Sequence, residues 1–216
     1  MHKCSHLRGP LALLAAVLGL GLALLAATPA GAANADWTNS AAWSDASVTQ
    51  PGATSSPTAV SCADKDSCLA VDSQGYGTSY DGTNWSAAHD TGIGVRLLSC
   101  VSSTACFGVS NKNSYVTFNG TSAGSVHTLA PQPPDWDATV SSLSCKSTSF
   151  CMAAVDENHG SSYISYVYRF DGSSWHRSTS VTKGQDASVS CATPSYCVAV
   201  SSGLSSSQVG EAQVFN

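Results

Sequence analysis

Short runs of apolar and aromatic residues alternate with polar turns through most of the chain, at the spacing of β-strands. Between residues 140 and 180 the runs are "VSSLSC", "CMAAVD", "YISYVYRF" and "SSWHRSTS". The third run alternates large and small side chains, as strands do. "DG" before the fourth run favours a hairpin turn, because glycine accepts a positive φ without steric cost. The pattern predicts a four-stranded antiparallel meander here, and no helix beyond residue 35.

Four copies of this unit follow one another along the chain. Aligned on a pair of cysteines with five residues between them, they read "AVSCADKDSCLAVDS", "LLSCVSSTACFGVSN", "SLSCKSTSFCMAAVD" and "SVSCATPSYCVAVSS". Their first cysteines are 38, 45 and 46 residues apart. Four-stranded propeller blades repeat at about this period. The sequence therefore predicts an all-β fold, a small β-propeller of about four four-stranded blades.

The fourth copy ends at "AQVFN" (212–216), before a fourth strand. The segment "AAWSDAS" (41–47) resembles "TNWSAAH" (83–89), which lies where a fourth strand is expected. A ring without exposed sheet edges needs a complete last blade, so we expect the N-terminal strand to close the ring. The alternative is a linear or truncated array, including half of a larger propeller made by two chains.

The motif "SC-x5-C-x-AV … Y-D-G-x-x-W" resembles the repeat of secreted β-propeller-like proteins of actinomycetes. The D-G-x-x-W turn is also similar to the Asp-box of sialidase-type propellers, a structural element between the third and fourth strands of a blade. Here Asp81 and Asp171 directly precede their glycines, and the second copy has Asn119 and no Trp. The resemblance implies a propeller architecture and carries no catalytic residue over.

The N-terminus has the pattern of a secretory signal peptide. A basic head precedes the apolar run "LALLAAVLGLGLALLAA" (11–27), and small residues follow it. We expect cleavage after Ala35, with Ala30 and Ala33 as alternatives, or else an uncleaved anchor. The expected organisation is a signal peptide at residues 1–35 and one secreted domain at residues 36–216.

Cleavage after Ala35 would leave eight of the nine cysteines. An even number in an exported chain predicts disulfides, and the repeat predicts local pairs. Zinc sites use shorter C-x2–4-C spacings, so no metal is expected at these positions. The predicted pairs are Cys62 with Cys68, Cys100 with Cys106, Cys145 with Cys151 and Cys191 with Cys197.

Charge and motifs exclude several classes of function. Loss of Lys3 and Arg8 leaves seven basic against fourteen acidic residues, which disfavours nucleic acid and an anionic membrane as partners. The sequence contains no HExxH, no G-x-S-x-G and no phosphate loop. The acidic segments "DKD", "DWD" and "DEN" fit solvated turns better than calcium loops. We expect no cofactor and no metal.

Loops that vary among the copies are the best candidates for a binding surface, because rigid scaffolds carry function on loops. In a meander blade, the loops between strands two and three and between blades emerge on one face, named here the loop face. Candidate ligand contacts there are Trp136, Asp135, Asp156 and His159. Trp136 is either a contact for a sugar or peptide, or packing at a blade joint.

Three function classes remain open on this sequence. The leading one is an exported, non-catalytic binding or scaffold module for an envelope or extracellular glycan or protein. The second is a secreted glycan-acting hydrolase or lyase on a propeller scaffold, which would need convergent carboxylates, or a carboxylate with a His or Tyr, in one pocket. The third is a purely structural envelope component.

Overall fold

A computed structural model describes residues 56–216, apart from 111, 132–136, 159, 161–162, 183 and 204–209. These residues belong to one compact unit, residues 47–216. The described residues form strands and turns, with no helix among them and hence no helix that could cross a membrane. The predicted N-terminal strand around Trp43 lies outside the described residues.

The strands group into four antiparallel sheets, one for each sequence repeat. The first blade contains β1 Pro57–Asp64, β2 Ser67–Asp72, β3 Tyr76–Tyr80 and β4 His89–Asp90. The second contains β5 Leu97–Ser102, β6 Ala105–Val109, β7 Ser114–Asn119, β8 Ser122–Ala123 and β9 His127–Thr128. The third contains β10 Asp137–Ser147, β11 Phe150–Asn158, β12 Tyr163–Phe170 and β13 Trp175–Thr182. The fourth contains β14 Gly184–Thr193, β15 Tyr196–Gly203 and β16 Glu211–Phe215.

This arrangement confirms the predicted all-β, four-bladed propeller fold. In the third blade the order is β10-β11-β12-β13, the predicted meander. In the second blade the fourth position is divided, because β8 and β9 both pair with β7. In the fourth blade the described residues supply three strands.

The hydrophobic core lies between neighbouring blades. Phe107, Val109 and Tyr115 of the second blade pack against Tyr168 and Phe170 of the third, and the Phe107 and Phe170 rings meet edge to face at 5.3 Å. Similar clusters join the first blade to the second and the third to the fourth. The second and third sheets therefore bury one face against the preceding blade and the other against the following blade, and the first and fourth sheets each share one such junction.

All four predicted disulfides are present. Each joins two cysteines that are direct cross-strand partners in the first hairpin of a blade, as in Cys145 opposite Cys151. A cross-link across one short hairpin restricts the unfolded chain without linking distant segments. The cysteines thus connect the first two strands of every blade, the role that their spacing predicts.

A hydrogen bond recurs at each junction between blades. The serine before the first cysteine of one blade accepts a bond from the amide of the first cysteine in the next blade. Cys100 N–H donates to Ser61 Oγ at 2.9 Å, Cys145 N–H to Ser99 Oγ at 3.0 Å, and Cys191 N–H to Ser144 Oγ at 3.1 Å. This geometry explains why the repeat begins with Ser-Cys rather than Cys alone.

The third blade also contains a buried charged group. Glu157 is fully buried, and its carboxylate accepts a bond from Tyr168 Oη at 2.7 Å and pairs with Arg177 at 3.2 Å. The Arg177 guanidinium in turn covers the Tyr166 ring, 3.3 Å from its centroid. A buried carboxylate is tolerated when charge and hydrogen bonds compensate for its lost hydration, so this network has a structural role.

Candidate functional site

A polar hollow of about 410 Å³ opens where the third and fourth blades meet on the loop face. We call it the loop-face cleft. Its lining comes from the start of β10, the end of β11, the start of β12 and the start of β14: Asp137, Thr139, Asp156, Asn158, Tyr163 and Asp186.

Strand register brings these residues together. In the third blade Asp137 lies opposite Asn158, and Asn158 lies opposite Tyr163. One step further into the sheet, Thr139 lies opposite Asp156. Directly opposed side chains project from the same face of a sheet. Three adjacent strands therefore present one polar row toward the fourth blade.

Within the cleft, Asp156 connects the two blades. Its Oδ1 accepts a hydrogen bond from Ser165 Oγ at 2.5 Å, and its Oδ2 accepts one from the Asp186 amide at 3.2 Å. Asp186 has a φ of +57°, a conformation that Asp tolerates better than most residues. Both oxygens of Asp156 thus hold the rim of the cleft in shape.

One acceptor in the cleft has no partner. Asn158 Oδ1 is buried without a hydrogen bond, while its Nδ2 donates to Tyr163 Oη at 3.4 Å. Most buried polar atoms in proteins are paired, so a ligand N–H or O–H would gain a bond at Asn158 Oδ1 once the side chains around it move to admit the ligand.

The electrostatics of the cleft are one-sided. Three carboxylates, those of Asp137, Asp156 and Asp186, line it, and no lysine or arginine does so among the described residues. In the described chain no three His, Cys, Asp or Glu side chains come together in a way suited to a metal ion. The arrangement favours a ligand that carries positive charge and donates hydrogen bonds from N–H or O–H groups.

The candidates from the sequence divide into two groups. Asp156 lies in the cleft, and Trp136, Asp135 and His159 lie outside the described residues, so their role stays a prediction. Sequence reasoning missed Thr139, Asn158 and Tyr163 as lining residues. The signal that could have found them is the pairing of the two ends of the β10–β11 hairpin, which brings Asp137 of "DWD" opposite Asn158 of "DEN".

A second hollow, of about 420 Å³, lies on the opposite face between the first two blades. Tyr80, Asp81, Gly120 and cysteines of two disulfides contribute to its lining. These residues belong to the repeated hairpins and to the D-G or N-G turns, which recur in register through the chain. Their recurrence indicates a structural role, and the loop-face cleft remains the better candidate site.

Comparisons with known proteins reach no family assignment. No family model matches the chain, and no curated protein matches it. Among solved structures, the chain is similar to the Pan2 WD40 domain of Neurospora crassa, with a TM-score of 0.47, 14% identity, and coverage of 66% of this chain and 45% of that one.

Two further structures are similar to the chain. The neuraminidase-like protein N11 of A/flat-faced bat/Peru/033/2010 (H18N11) has a TM-score of 0.40 and 11% identity, over 66% of this chain and 46% of that one. YCF48 bound to D1 peptide has a TM-score of 0.28 and 8% identity, over 76% of this chain and 82% of that one. The chain spans less than half the length of the first two structures.

Proposed function

We propose that the protein is an exported, disulfide-stapled, non-catalytic binding or scaffold module that binds its partner in the loop-face cleft. The observation that carries this proposal is the convergence of three carboxylates on a 410 Å³ hollow, with Asn158 and its unpaired Oδ1 among the lining residues. Rigid strands from two blades position these groups, as is usual for a preformed binding site. Four disulfides fit an oxidising, extracellular environment.

The proposed partner is an extracellular protein segment that contains lysine or arginine. An ammonium or guanidinium group supplies several N–H donors and neutralises the carboxylates. Tyr163, which is 36% exposed at the cleft, offers an aromatic surface for the aliphatic part of such a side chain. In this proposal Trp136, Asp135 and His159 extend the contact surface from the adjoining loops.

A non-catalytic role is supported by the state of Asp156. A general acid or nucleophile needs a carboxyl group directed at its substrate, whereas both oxygens of Asp156 already accept bonds from Ser165 and Asp186. The carboxylate that is used to hold two blades together is poorly placed to exchange a proton with a ligand.

The alternative function is a glycan-acting hydrolase or lyase. Convergence of Asp137, Asp156 and Asp186 on one hollow is the observation in its favour, because glycosidases work with a pair of carboxyl groups.

Export is also part of the proposed function: residues 1–35 would be a signal peptide and residues 36–216 the secreted domain. Likewise, the similarity to actinomycete repeat proteins and to the Asp-box remains a proposal.

Binding to a lysine-rich peptide tests the proposed function. The Asp137→Asn variant should weaken binding by about tenfold, the effect of losing about 1.4 kcal/mol. Asp66→Asn is the matched control, since it removes the same charge from an exposed position on the opposite face. Titration calorimetry on both variants, with a glutamate-rich peptide as the control ligand, measures the difference.

Equal weakening by the two variants, or no binding of the lysine-rich peptide, would overturn the proposal. Hydrolysis of polysaccharide probes by the unmodified protein, abolished by Asp137→Asn and retained by Asp66→Asn, would establish the enzymatic alternative instead.

A further inference from the structure

The two end blades each have a sheet face that no other blade covers in the described chain. The first strands of consecutive blades pack in series, β1 with β5, β5 with β10, and β10 with β14. No comparable contact joins β14 to β1 among the described strands. The face of the first blade that points away from the second blade, and the face of the fourth blade that points away from the third, therefore take no part in the three internal junctions.

Exposure along the repeat identifies the uncovered face of the fourth blade. The third residue after the second cysteine is Val71, Val109 and Ala154 in the first three blades, and each is fully buried by the following blade. In the fourth blade this position is Val200, which is 45% exposed. We call its surroundings the trailing face: Ser188, Ser190, Val198, Val200 and Val214.

The corresponding face of the first blade shows the complementary difference. Two residues before the first cysteine, Val189 is 5% exposed at the junction between the third and fourth blades. The equivalent residue in the first blade is Val60, which is 62% exposed. We call this the leading face, defined by Val60 and Cys62. Both end faces expose valine where internal junctions bury apolar side chains.

Hydrogen-bonding groups at the two end faces are complementary in register. At the internal junction, Ser142 Oγ contacts the backbone N and O of Val189 at 3.1 and 3.2 Å, and Ser144 Oγ accepts from Cys191. The equivalents of these two serines are Ser188 and Ser190, both exposed on β14. The equivalents of their partners are Val60 and Cys62, on the leading face.

We propose that the trailing face of one copy docks on the leading face of a second copy, with Ser190 accepting a bond from Cys62 of the partner copy. The contact repeats the three junctions already present within the chain, both in its apolar residues and in its Ser-to-Cys hydrogen bond. Two identical contacts related by a twofold axis close two sets of four blades into a ring of about eight, within the usual range for propellers.

The test measures the mass of the exported chain by light scattering and analytical ultracentrifugation over a wide concentration range. The unmodified protein should have twice the mass of one chain. Val200→Glu should weaken the association by about 100-fold or more, because the junction would bury an unpaired carboxylate. Val126→Glu is the matched control, since Val126 is 48% exposed in a loop of the second blade and belongs to neither end face.

A mixing experiment tests the direction of the contact. Val60→Lys and Val200→Glu each damage one face and should each be monomeric alone. Val60→Lys keeps an intact trailing face, and Val200→Glu keeps an intact leading face. In a mixture these two faces can form one junction, so the mixture should contain a dimer. Both variants should keep the circular-dichroism spectrum of the unmodified protein, because both residues are exposed in the single chain and neither change disturbs its fold.

Three results would overturn the inference. A monomeric unmodified protein would show that the end faces are closed within one chain or left open. Equal dissociation by Val126→Glu and Val200→Glu would place the contact elsewhere. A mixture that remains monomeric would exclude a trailing-to-leading contact.

Discussion

Asp171 shows how a single side chain fixes a turn of the blade. Its Oδ1 accepts bonds from the amides of Ser173 and Ser174, both at 2.9 Å, and its Oδ2 contacts His176 Nε2 at 2.7 Å. Gly172 follows with a φ of +101°, as the sequence pattern requires. Asp81 makes the same pair of bonds to Thr83 and Asn84 in the first blade.

These bonds make stability depend on pH. The Ser174 amide, followed by Ser173 and His176, holds the pKa of Asp171 well below its ordinary value of 3.8. A pKa that is lower in the folded state adds stability above pH 3.8, and this stability is lost as pH falls toward the folded pKa. Asp171→Asn should therefore lower the melting temperature at neutral pH, by an amount that shrinks below pH 3.8.

Melting curves of the two proteins from neutral to strongly acidic pH check this prediction. A difference that stays constant over the whole range would show that the ionised carboxylate contributes nothing beyond an acceptor oxygen, which Asn also provides.

The first hairpin of each blade is a repeated element with its own internal bonds. Two residues after the first cysteine, a short polar side chain accepts a bond from the amide two positions further on. Asp64 Oδ1 accepts from Asp66, Ser147 Oγ from Ser149, and Thr193 Oγ1 from Ser195. Asp, Ser and Thr stabilise turns in this way, so each hairpin combines a turn cap with a disulfide.

Removing a disulfide should distinguish two contributions to stability: loop closure, which acts on the unfolded chain, and burial of the disulfide in the folded chain. Each pair closes a loop of the same length, so loop closure predicts a loss of about 2–2.5 kcal/mol for either double Cys→Ala variant. Cys145 and Cys151 are also buried between blades, whereas Cys62 is exposed. The loss should therefore be larger for Cys145 with Cys151 than for Cys62 with Cys68.

Urea unfolding of the two double variants, both in the monomeric Val200→Glu background where Cys62 stays exposed, measures these losses. Equal losses would show that burial of the third disulfide adds nothing, and losses near zero would contradict the loop-closure explanation.

At the scale of the whole molecule, the edge of the fourth blade is distinct from its trailing face. β16 pairs with β15, and the described residues place no strand on its other side. The sequence predicts that the segment around Trp43 completes this blade beside "AQVFN". Within one chain this strand would close a ring of four blades; in the ring of two copies, the segment of one copy would complete the fourth blade of the other.

Deletion of residues 36–47 tests the strand prediction. The truncated protein should melt many degrees lower and associate through its exposed edge, because unpaired strand edges promote aggregation. Deleting twelve residues also shortens the chain, so a variant with Trp43→Ser alone provides the comparison. A truncated protein with an unchanged melting temperature and unchanged mass would contradict the prediction.

The sequence by itself determined the repeated parts of this protein. The four units, the strands of the third blade and the four disulfides follow from local patterns, because alternation, turn residues and cysteine spacing act within a few residues. Strand β12, for example, has the bounds of "YISYVYRF". Asp156 lies in the loop-face cleft, and its role as a ligand contact stays a prediction.

Only the tertiary structure decided which residues meet between strands and between blades. Asn158 reaches Asp137 through strand register, and Asp186 reaches Asp156 from 30 residues away. The role of serine before cysteine appears only when consecutive blades pack, since Ser144 bonds Cys191 across 47 residues. Such contacts depend on the relative placement of whole sheets, which no local pattern in one copy encodes.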